Sequence, residues 1–434
     1  MAQNPTISWS TQMQGVGRLG VGTVAPYTNA GLRIFDGRTA ATFAVDGVSG
    51  TTFHAVFRVA QDFDWIEPIL ANGNTGGSLT IASCKVSSVA DFGKGSGTAP
   101  NNNSGTWTTI TLPASGVIDA APGASRRSYM VGARNICNSV TRTDGGTDAL
   151  VAVRCFVAAG AGTVTILGAG ASGASDDFTN WATRSDGNVA LFRAQTGDQV
   201  TTPSGFTSTT NVSYSPIIGV RYGARGRVVT VGSFGDSIDS GRGTYKAEGF
   251  INPLCIDLSD RSGVAVEHAN FAWAGIQMST IRSHVEDAMS AGLIPNVASY
   301  PNISPNDITP PWITANNSAA RFRAHSIYDT LASNGVIPIE HTCPPSTASL
   351  PSGKAYGSSD SLRLTYNSGE MALNNRGMTV FDLSGAVSGN VSTTGQVEFM
   401  DGTTTDGLHP NDIGNARIAE QMLRTVSVLA GLTQ

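Results

Sequence analysis

Val228-Val229-Thr230-Val231-Gly232-Ser233-Phe234-Gly235-Asp236-Ser237-Ile238-Asp239 decides the fold. A β-branched apolar run that stops at Gly-Asp-Ser reads as a buried strand delivering a serine to a tight turn at its C-terminal end. Ser237 is therefore a candidate nucleophile. A hydroxyl is weakly nucleophilic by itself, so this reading requires a base and oxyanion donors elsewhere in the chain.

Outward from this stretch, residues 226–434 alternate strand and helix. The first strand, 228–234, is followed by a helical stretch within 245–259 and a strand at 264–269. A helix carrying Ile281, Val285 and Ala288 on one face ends near Gly292. Strands at 297–300, 336–340 and 378–383 follow, with a helix predicted over 315–334 and another before the fifth strand. A final helix over 411–430 buries Ala416, Ala419, Leu423, Val426 and Ala430. Five strands alternating with helices predict an α/β domain with a five-stranded parallel sheet and helices on both faces. Its ligands belong at the C-terminal ends of the strands, where Ser237 and Asn306 both fall.

Three further stretches bear on the chemistry: Asn270-Phe271-Ala272-Trp273-Ala274-Gly275, Ser304-Pro305-Asn306-Asp307 and Asp406-Gly407-Leu408-His409-Pro410-Asn411. His409 is placed to take the proton from Ser237 and return it to a leaving alcohol. Asp406 would accept the imidazole N–H and hold its tautomer. An Asp-x-x-His by itself is weak, since surface turns contain it by chance; after a Gly-Asp-Ser on a parallel-sheet pattern it becomes specific. With the stretch around Ser237, these segments resemble, in order, blocks I, II, III and V of the SGNH (GDSL) hydrolase family. The resemblance covers about residues 228–430.

This resemblance implies a flavodoxin-like sheet, hydrolysis of esters or thioesters, and no metal or organic cofactor. It also implies an oxyanion hole built from the backbone N–H groups of Ser237 and Gly275 and the side-chain amide of Asn306. Block III departs from the family pattern, because Ser304 stands where Gly is expected, and Asn302 competes with Asn306 as the donor. Trp273 and Trp312 lie beside blocks II and III and are candidate substrate-binding residues, the bland alternative being core or rim aromatics. Reading Asp236, Asp239 and Asp406 as a metal-dependent phosphoesterase site is disfavoured, because no His-rich ligand set converges with them. The other histidines, at 54, 268, 284, 325 and 341, sit in no motif and are read as satisfied strand or helix residues.

The N-terminal half follows a different period. Residues 1–30 are polar and Gly-rich and read as an arm or linker. Residues 31–225 carry short alternating runs such as 51–59, 78–81, 106–112, 149–157 and 163–167, separated by Gly, Asn, Ser and Asp, and predict an all-β sandwich of jelly-roll type before the catalytic domain. Within it, Gly168-Ala169-Gly170-Ala171-Ser172-Gly173 matches a dinucleotide fingerprint. No helical apolar stripe and no second βαβ unit follow, so it reads as a sandwich loop. Trp9, Trp65, Trp107 and Trp181 are expected to fill this half, unless an exposed pair binds glycan.

Composition narrows the partners. The net charge of −5 offers no basic surface for polyphosphate, which argues against nucleic acid, and no 18-residue apolar stretch argues for a membrane span. Five scattered cysteines without C-x-x-C spacing or a histidine clustered near them argue against a zinc site and leave at least one thiol outside any intramolecular pair. Cys137 with Cys155 is one conceivable disulfide, buried free thiols the other reading. With 14% charged residues and 51 glycines, the chain resembles turn-rich extracellular proteins. A secreted or virion-borne location is expected, although no signal peptide opens the chain as given. The expected substrate is a small-molecule or polysaccharide ester bearing a short acyl group, chiefly acetyl. Lipase, thioesterase or acyltransferase chemistry would use the same residues. A glycan-binding surface protein with an incidental hydrolase-like domain is the alternative of another class.

Overall fold

The computed structural model describes residues 28–35, 42–44, 50–72, 77–91, 101–120, 126–146, 148–158, 163–166, 190–209, 212, 214–241, 249–308, 312–356 and 358–432. Most of the expected N-terminal arm, Trp9, Trp181 and the Gly-rich motif at 168–173 lie outside them.

Two sheets share the strands that matter. The principal ones, in chain order, are β1 (Thr28–Phe35), β2 (Thr51–Val59), β3 (Phe63–Asn72), β4 (Leu79–Val89), β5 (Ala149–Val157), β6 (Ala190–Thr196), β7 (Ile217–Ser233), β8 (Ala265–Asn270), β9 (Val297–Pro301), β10 (Ile337–His341) and β11 (Val380–Phe381). The helices are α1 (Ile251–Ser262), α2 (Met278–Ser290), α3 (Trp312–Ser333), α4 (Ser358–Met371) and, after a short helix at Leu383–Val387, α5 (Asp412–Leu429). Five strands run parallel in the spatial order β8, β7, β9, β10, β11. In order of appearance this is 2-1-3-4-5, the doubly wound arrangement that opens a crevice at the C-terminal ends of its first and third strands.

Alternation along the parallel strands sends neighbouring residues to opposite faces, both of them covered. Val229, Val231, Val266, Val297 and Ile339 pack with α1 and α5 residues such as Leu254, Leu258, Ile418 and Met422. On the other face Ala269, Ala298 and Tyr300 pack with Ile281 and Val285 of α2 and Ile327 and Leu331 of α3. Each buried aliphatic side chain contributes about 1.5–3 kcal/mol by leaving water.

β7 is 17 residues long. Its second half is the central parallel strand. Its first half pairs antiparallel with β1 on one side and β3 on the other. The boundary expected at 225/226 therefore falls inside one continuous strand. Among the described residues the large sheet has nine strands where five were expected, the parallel five being extended by β1, whose last two residues also pair parallel with β8, by β3 and by two short strands at Ser128–Val131 and Asn135–Ile136. A second sheet, in the order β6, β2, β5, β4 and Thr108–Thr109, with Val117–Ile118 pairing β4, lies over this extension. Phe53, Phe57, Val86, Val151 and Val153 from it join Leu32, Ile66, Ile218, Val220 and Tyr222 in one core, which continues to α2 and α3. The N-terminal half is thus joined to the α/β half by a shared strand and a shared core. The physical reason is that β7 carries apolar or small residues on both sides of residue 225, and nothing in that run terminates it.

Cys84, Cys137, Cys155, Cys255 and Cys343 are all free and buried, so the Cys137–Cys155 pairing does not form. Cys84 and Cys155 face each other across β4 and β5, and burial pushes Cys84 up to about 12. Among the described residues no helix is long and apolar enough to cross a membrane.

Candidate active site

The site assembles at the C-terminal edge of the parallel sheet. β7 ends at Ser233, and Phe234 continues it by donating its N–H to Ser299 O of β9. The Phe234 ring stacks on Phe271 at 4.5 Å, holding the exits of β7 and β8 together. The chain then turns through Gly235-Asp236-Ser237. A Cβ at Gly235 would lie 1.9 Å from Asp239 Oδ2, so only glycine lets the turn close this tightly. Ser237 is left buried at 5% exposure.

His409 meets it from the other end of the chain. Its Nε2 lies 2.8 Å from Ser237 Oγ, and its Nδ1 lies 2.6 Å from Asp406 Oδ2. The other Asp406 oxygen accepts the backbone N–H of Leu408 at 2.9 Å and of His409 at 2.8 Å. Burial would raise the Asp406 carboxyl, but the His409 ring N–H and these backbone N–H groups outweigh it and hold the group well below the usual carboxylate range. An ionised Asp406 fixes the tautomer in which Nδ1 carries the proton and Nε2 is free to accept one. The loop is anchored directly behind by Asn411, whose side chain caps α5 by accepting from Gly414 N. Such a cap is worth about 1 kcal/mol.

The expected oxyanion donors are tied to one another. Asn270 Oδ1 accepts the Ser233 hydroxyl at 3.2 Å and the Ala272 N–H at 3.0 Å, bending the chain after β8. Gly275 then takes φ of +84° in open, exposed space, a conformation glycine reaches without strain. Asn306 is half-buried; its Nδ2 donates to Ile276 O at 3.0 Å and to Ser304 Oγ at 3.2 Å. Asp307 accepts the Met278 N–H at 2.8 Å, at the start of α2 where backbone donors and the helix dipole favour an anion. Asn302 instead donates to Asn367 Oδ1 at 3.0 Å within the core, which removes it as a competing donor.

Ser304, at the position where the family pattern has glycine, is an addition to the site that the sequence flagged only as a departure. Its Oγ lies 2.5 Å from Asp236 Oδ2 and 3.0 Å from Ile276 O, and it accepts the Asn306 N–H at 3.1 Å. A hydroxyl has one proton to offer, yet both Asp236 and Ile276 O face it as acceptors. Burial, reinforced by the charge of Asp239, pushes Asp236 up to about 6 against the Ser304 and Ile238 hydrogen bonds. Ser304 donates to the ionised Asp236; below about pH 6 the protonated acid can instead donate to Ser304, which frees the Ser304 proton for Ile276 O. This chain links the residue before Ser237 to the Asn306 amide.

Two more residues support the site: His341, a satisfied strand histidine as expected, and Lys354, which no motif in the sequence marked. His341, at the end of β10, places Nε2 2.9 Å from Asp239 Oδ1, with the Phe250 ring edge-on at 5.7 Å. Burial opposes its charged form, but Asp239 outweighs this and raises it above the ordinary histidine value. Lys354, half-buried, donates Nζ to Pro305 O at 2.8 Å, while the same loop holds the Asp406 segment through Thr347 N to Gly407 O and Ser352 N to Asp406 O. One loop thus braces both the base and the block III residues.

Trp273 is corrected from pocket wall to core. It is 3% exposed, its ring covered by the Arg127 guanidinium at 3.9 Å and abutting His284 at 4.2 Å. Its run of apolar neighbours, Phe271 and Ala272, carries it inward with them. The side chain of Trp312, the first residue of α3, lies outside the described residues. Asp236, Asp239 and Asp406 face Ser304, His341 and His409 respectively and do not converge on a common point.

No family model matches the chain, and no curated protein does. Solved structures do. A GDSL-like lipase from Bacteroides thetaiotaomicron is 15% identical, over 46% of this chain and 87% of its own, with a TM-score of 0.35. The lipase/acylhydrolase from Enterococcus faecalis is 17% identical, over 46% and 95%, with a TM-score of 0.34. An acetyl xylan esterase is 19% identical, over 46% and 100%, with a TM-score of 0.34. Among the solved structures it is similar to are lipases, acylhydrolases and an esterase, two of them named as GDSL proteins.

Proposed function

We propose that this chain is a serine ester hydrolase of the SGNH type, acting on short acyl groups, chiefly acetyl, carried by a carbohydrate. The observation that carries the reading is the unbroken line from Ser237 Oγ through His409 to Asp406, at 2.8 and 2.6 Å. Ser237 Oγ attacks the ester carbonyl as its proton passes to His409 Nε2, and Asp406 stabilises the imidazolium. The carbonyl oxygen becomes an oxyanion facing the N–H groups of Ser237 and Gly275 and the Asn306 amide, which gives up its bond to Ile276 O or to Ser304 Oγ to reach it. When the tetrahedral adduct collapses, the C–O bond to the leaving alcohol breaks and His409 returns the proton to it. Water then attacks the acyl-enzyme by the same route in reverse, with His409 again as base, and releases the acid and Ser237.

The short acyl group and the sugar are supported by composition and architecture. The chain carries few charges and a net charge of −5, which does not favour an anionic substrate, and a large β-rich extension adjoins the catalytic sheet. The test is release of p-nitrophenol from acetyl, butyryl and octanoyl esters by the parent protein and by Ser237→Ala. Activity confined to short chains and absent from the variant is expected, followed by acetate release from acetylated polysaccharide. Rates that climb with chain length would replace the sugar ester by a lipid one. Equal rates in the variant would remove the mechanism.

A further inference from the structure

We propose that His325, Glu340 and Glu370 form a binding site for one divalent cation of the zinc class, distinct from the ester chemistry and built between α3, β10 and α4. One nitrogen or carboxylate oxygen from each residue lies within 4.8 Å of the others. His325 Nε2 and Glu370 Oε2 are 3.1 Å apart. Ligand atoms about 2.1 Å from a common zinc ion in a tetrahedron are about 3.4 Å from each other, so sub-ångström shifts close the set.

The arrangement of the remaining oxygens favours a ligand set over a chance cluster. Arg321 Nε donates to Glu370 Oε1 at 2.5 Å, which leaves Oε2 turned to His325. Tyr300 donates its hydroxyl to Glu340 Oε2 at 3.3 Å. Glu340 Oε1 is then buried without a hydrogen-bond partner, in a side chain whose residue is 0% exposed. Each carboxylate thus has one oxygen oriented by an outer donor and one left for the cluster, the usual division of labour around a bound metal. Among the described residues Arg321 is ion-paired with Glu370 alone, and Glu340 has no ion pair. One imidazole with two carboxylates suits zinc, cobalt or manganese. The His325 side chain is 21% exposed, which gives an ion a way in and a water a place as fourth ligand.

Alternation along β10 sets what the ion would do. Glu340 faces α3 and α4, while His341 faces the opposite side and holds Asp239, two residues beyond Ser237. The cation would tie two helices to the strand that backs the nucleophile turn, adding stability without touching substrate.

The experiment uses the full chain, stripped with EDTA and titrated at pH 7.5 with Co2+, read by its d–d absorption, and with Zn2+ in competition with a chromogenic chelator. One equivalent per chain is expected, with a rise of several degrees in Tm. Both should be lost in His325→Ala, which removes a ligand while Glu370 keeps Arg321, and in Glu340→Gln. Failure of the parent protein to bind an equivalent would overturn the proposal, as would undiminished binding by His325→Ala. A Tm insensitive to either ion, together with a Glu340→Gln variant more stable than the parent, would also overturn it and leave a proton shared between the two glutamates in the ion's place.

Discussion

Two histidine–aspartate pairs flank the nucleophile turn. His409 and Asp406 are three residues apart in sequence and 2.6 Å apart in space; His341 and Asp239 are 102 residues apart in sequence and 2.9 Å apart in space. They differ in which ring nitrogen meets the carboxylate. His409 gives Nδ1 to Asp406 and keeps Nε2 for Ser237 Oγ. His341 gives Nε2 to Asp239, and its Nδ1 lies 3.4 Å from Thr342 O. The first pair has a basic nitrogen aimed at a hydroxyl, and the second has both nitrogens committed to the protein. A histidine beside an aspartate is therefore a base only when the far nitrogen is left to accept a proton.

The comparison can be broken from the catalytic side first. Ser237→Ala or His409→Ala should lower kcat by about 10^4-fold or more while the unfolding transition keeps its midpoint. Asp406→Asn should cost less, about 10^2- to 10^4-fold. Residual activity in His409→Ala within tenfold of the parent would remove the distinction between the pairs. On the other side, His341→Leu leaves the buried Asp239 without its partner and should cost about 3–5 kcal/mol in urea unfolding. Its kcat per folded molecule should fall less than tenfold. A kcat loss as deep as that of His409→Ala would show that the second pair takes part in the chemistry.

Asn306→Ala should reduce kcat about 10^2- to 10^3-fold with little change in KM, because an oxyanion donor acts in the transition state. A smaller loss than that caused by Asn302→Ala in folded protein would assign the donor wrongly. The gentlest test concerns Asp236. Folding raises this acid from 3.8 to about 6, so the folded state binds the proton more tightly. Stability should accordingly fall as pH rises from about 4 to about 6, by up to about 3 kcal/mol, and level off above. Asp236→Asn mimics the protonated acid toward both Ser304 and Ile238 and should flatten that slope. An unchanged pH profile in the variant would discard the protonated form.

The parts legible in sequence are those carried by local pattern. The β-branched run 228–233 ending at Gly-Asp-Ser, the Asp406-x-x-His409 spacing and the alternation of strands with helices needed only neighbours a few residues apart. The elements they predicted are found at 251–262, 278–290, 312–333 and 412–429 among the helices and in all five parallel strands, with boundary shifts of a few residues except in β7, which begins 11 residues before the expected 228. Trp273 was misread because an aromatic beside a motif has the same local signature whether it lines a pocket or packs under Arg127. Ser304 was visible only as a missing glycine, since its partner Asp236 lies 68 residues away.

Periodicity and short motifs pointed to the parallel sheet, the Gly-Asp-Ser turn and the Asp406-x-x-His409 pair, because each is encoded within one or two turns of chain. The continuity of β7 through residue 225, the pairing of His341 with Asp239, the Asp236–Ser304–Asn306 chain and the meeting of His325 with Glu340 and Glu370 had to await the folded chain. Each joins side chains from separate elements whose register and facing are set by packing, and a buried polar group finds its partner by position in space, whatever its distance in sequence.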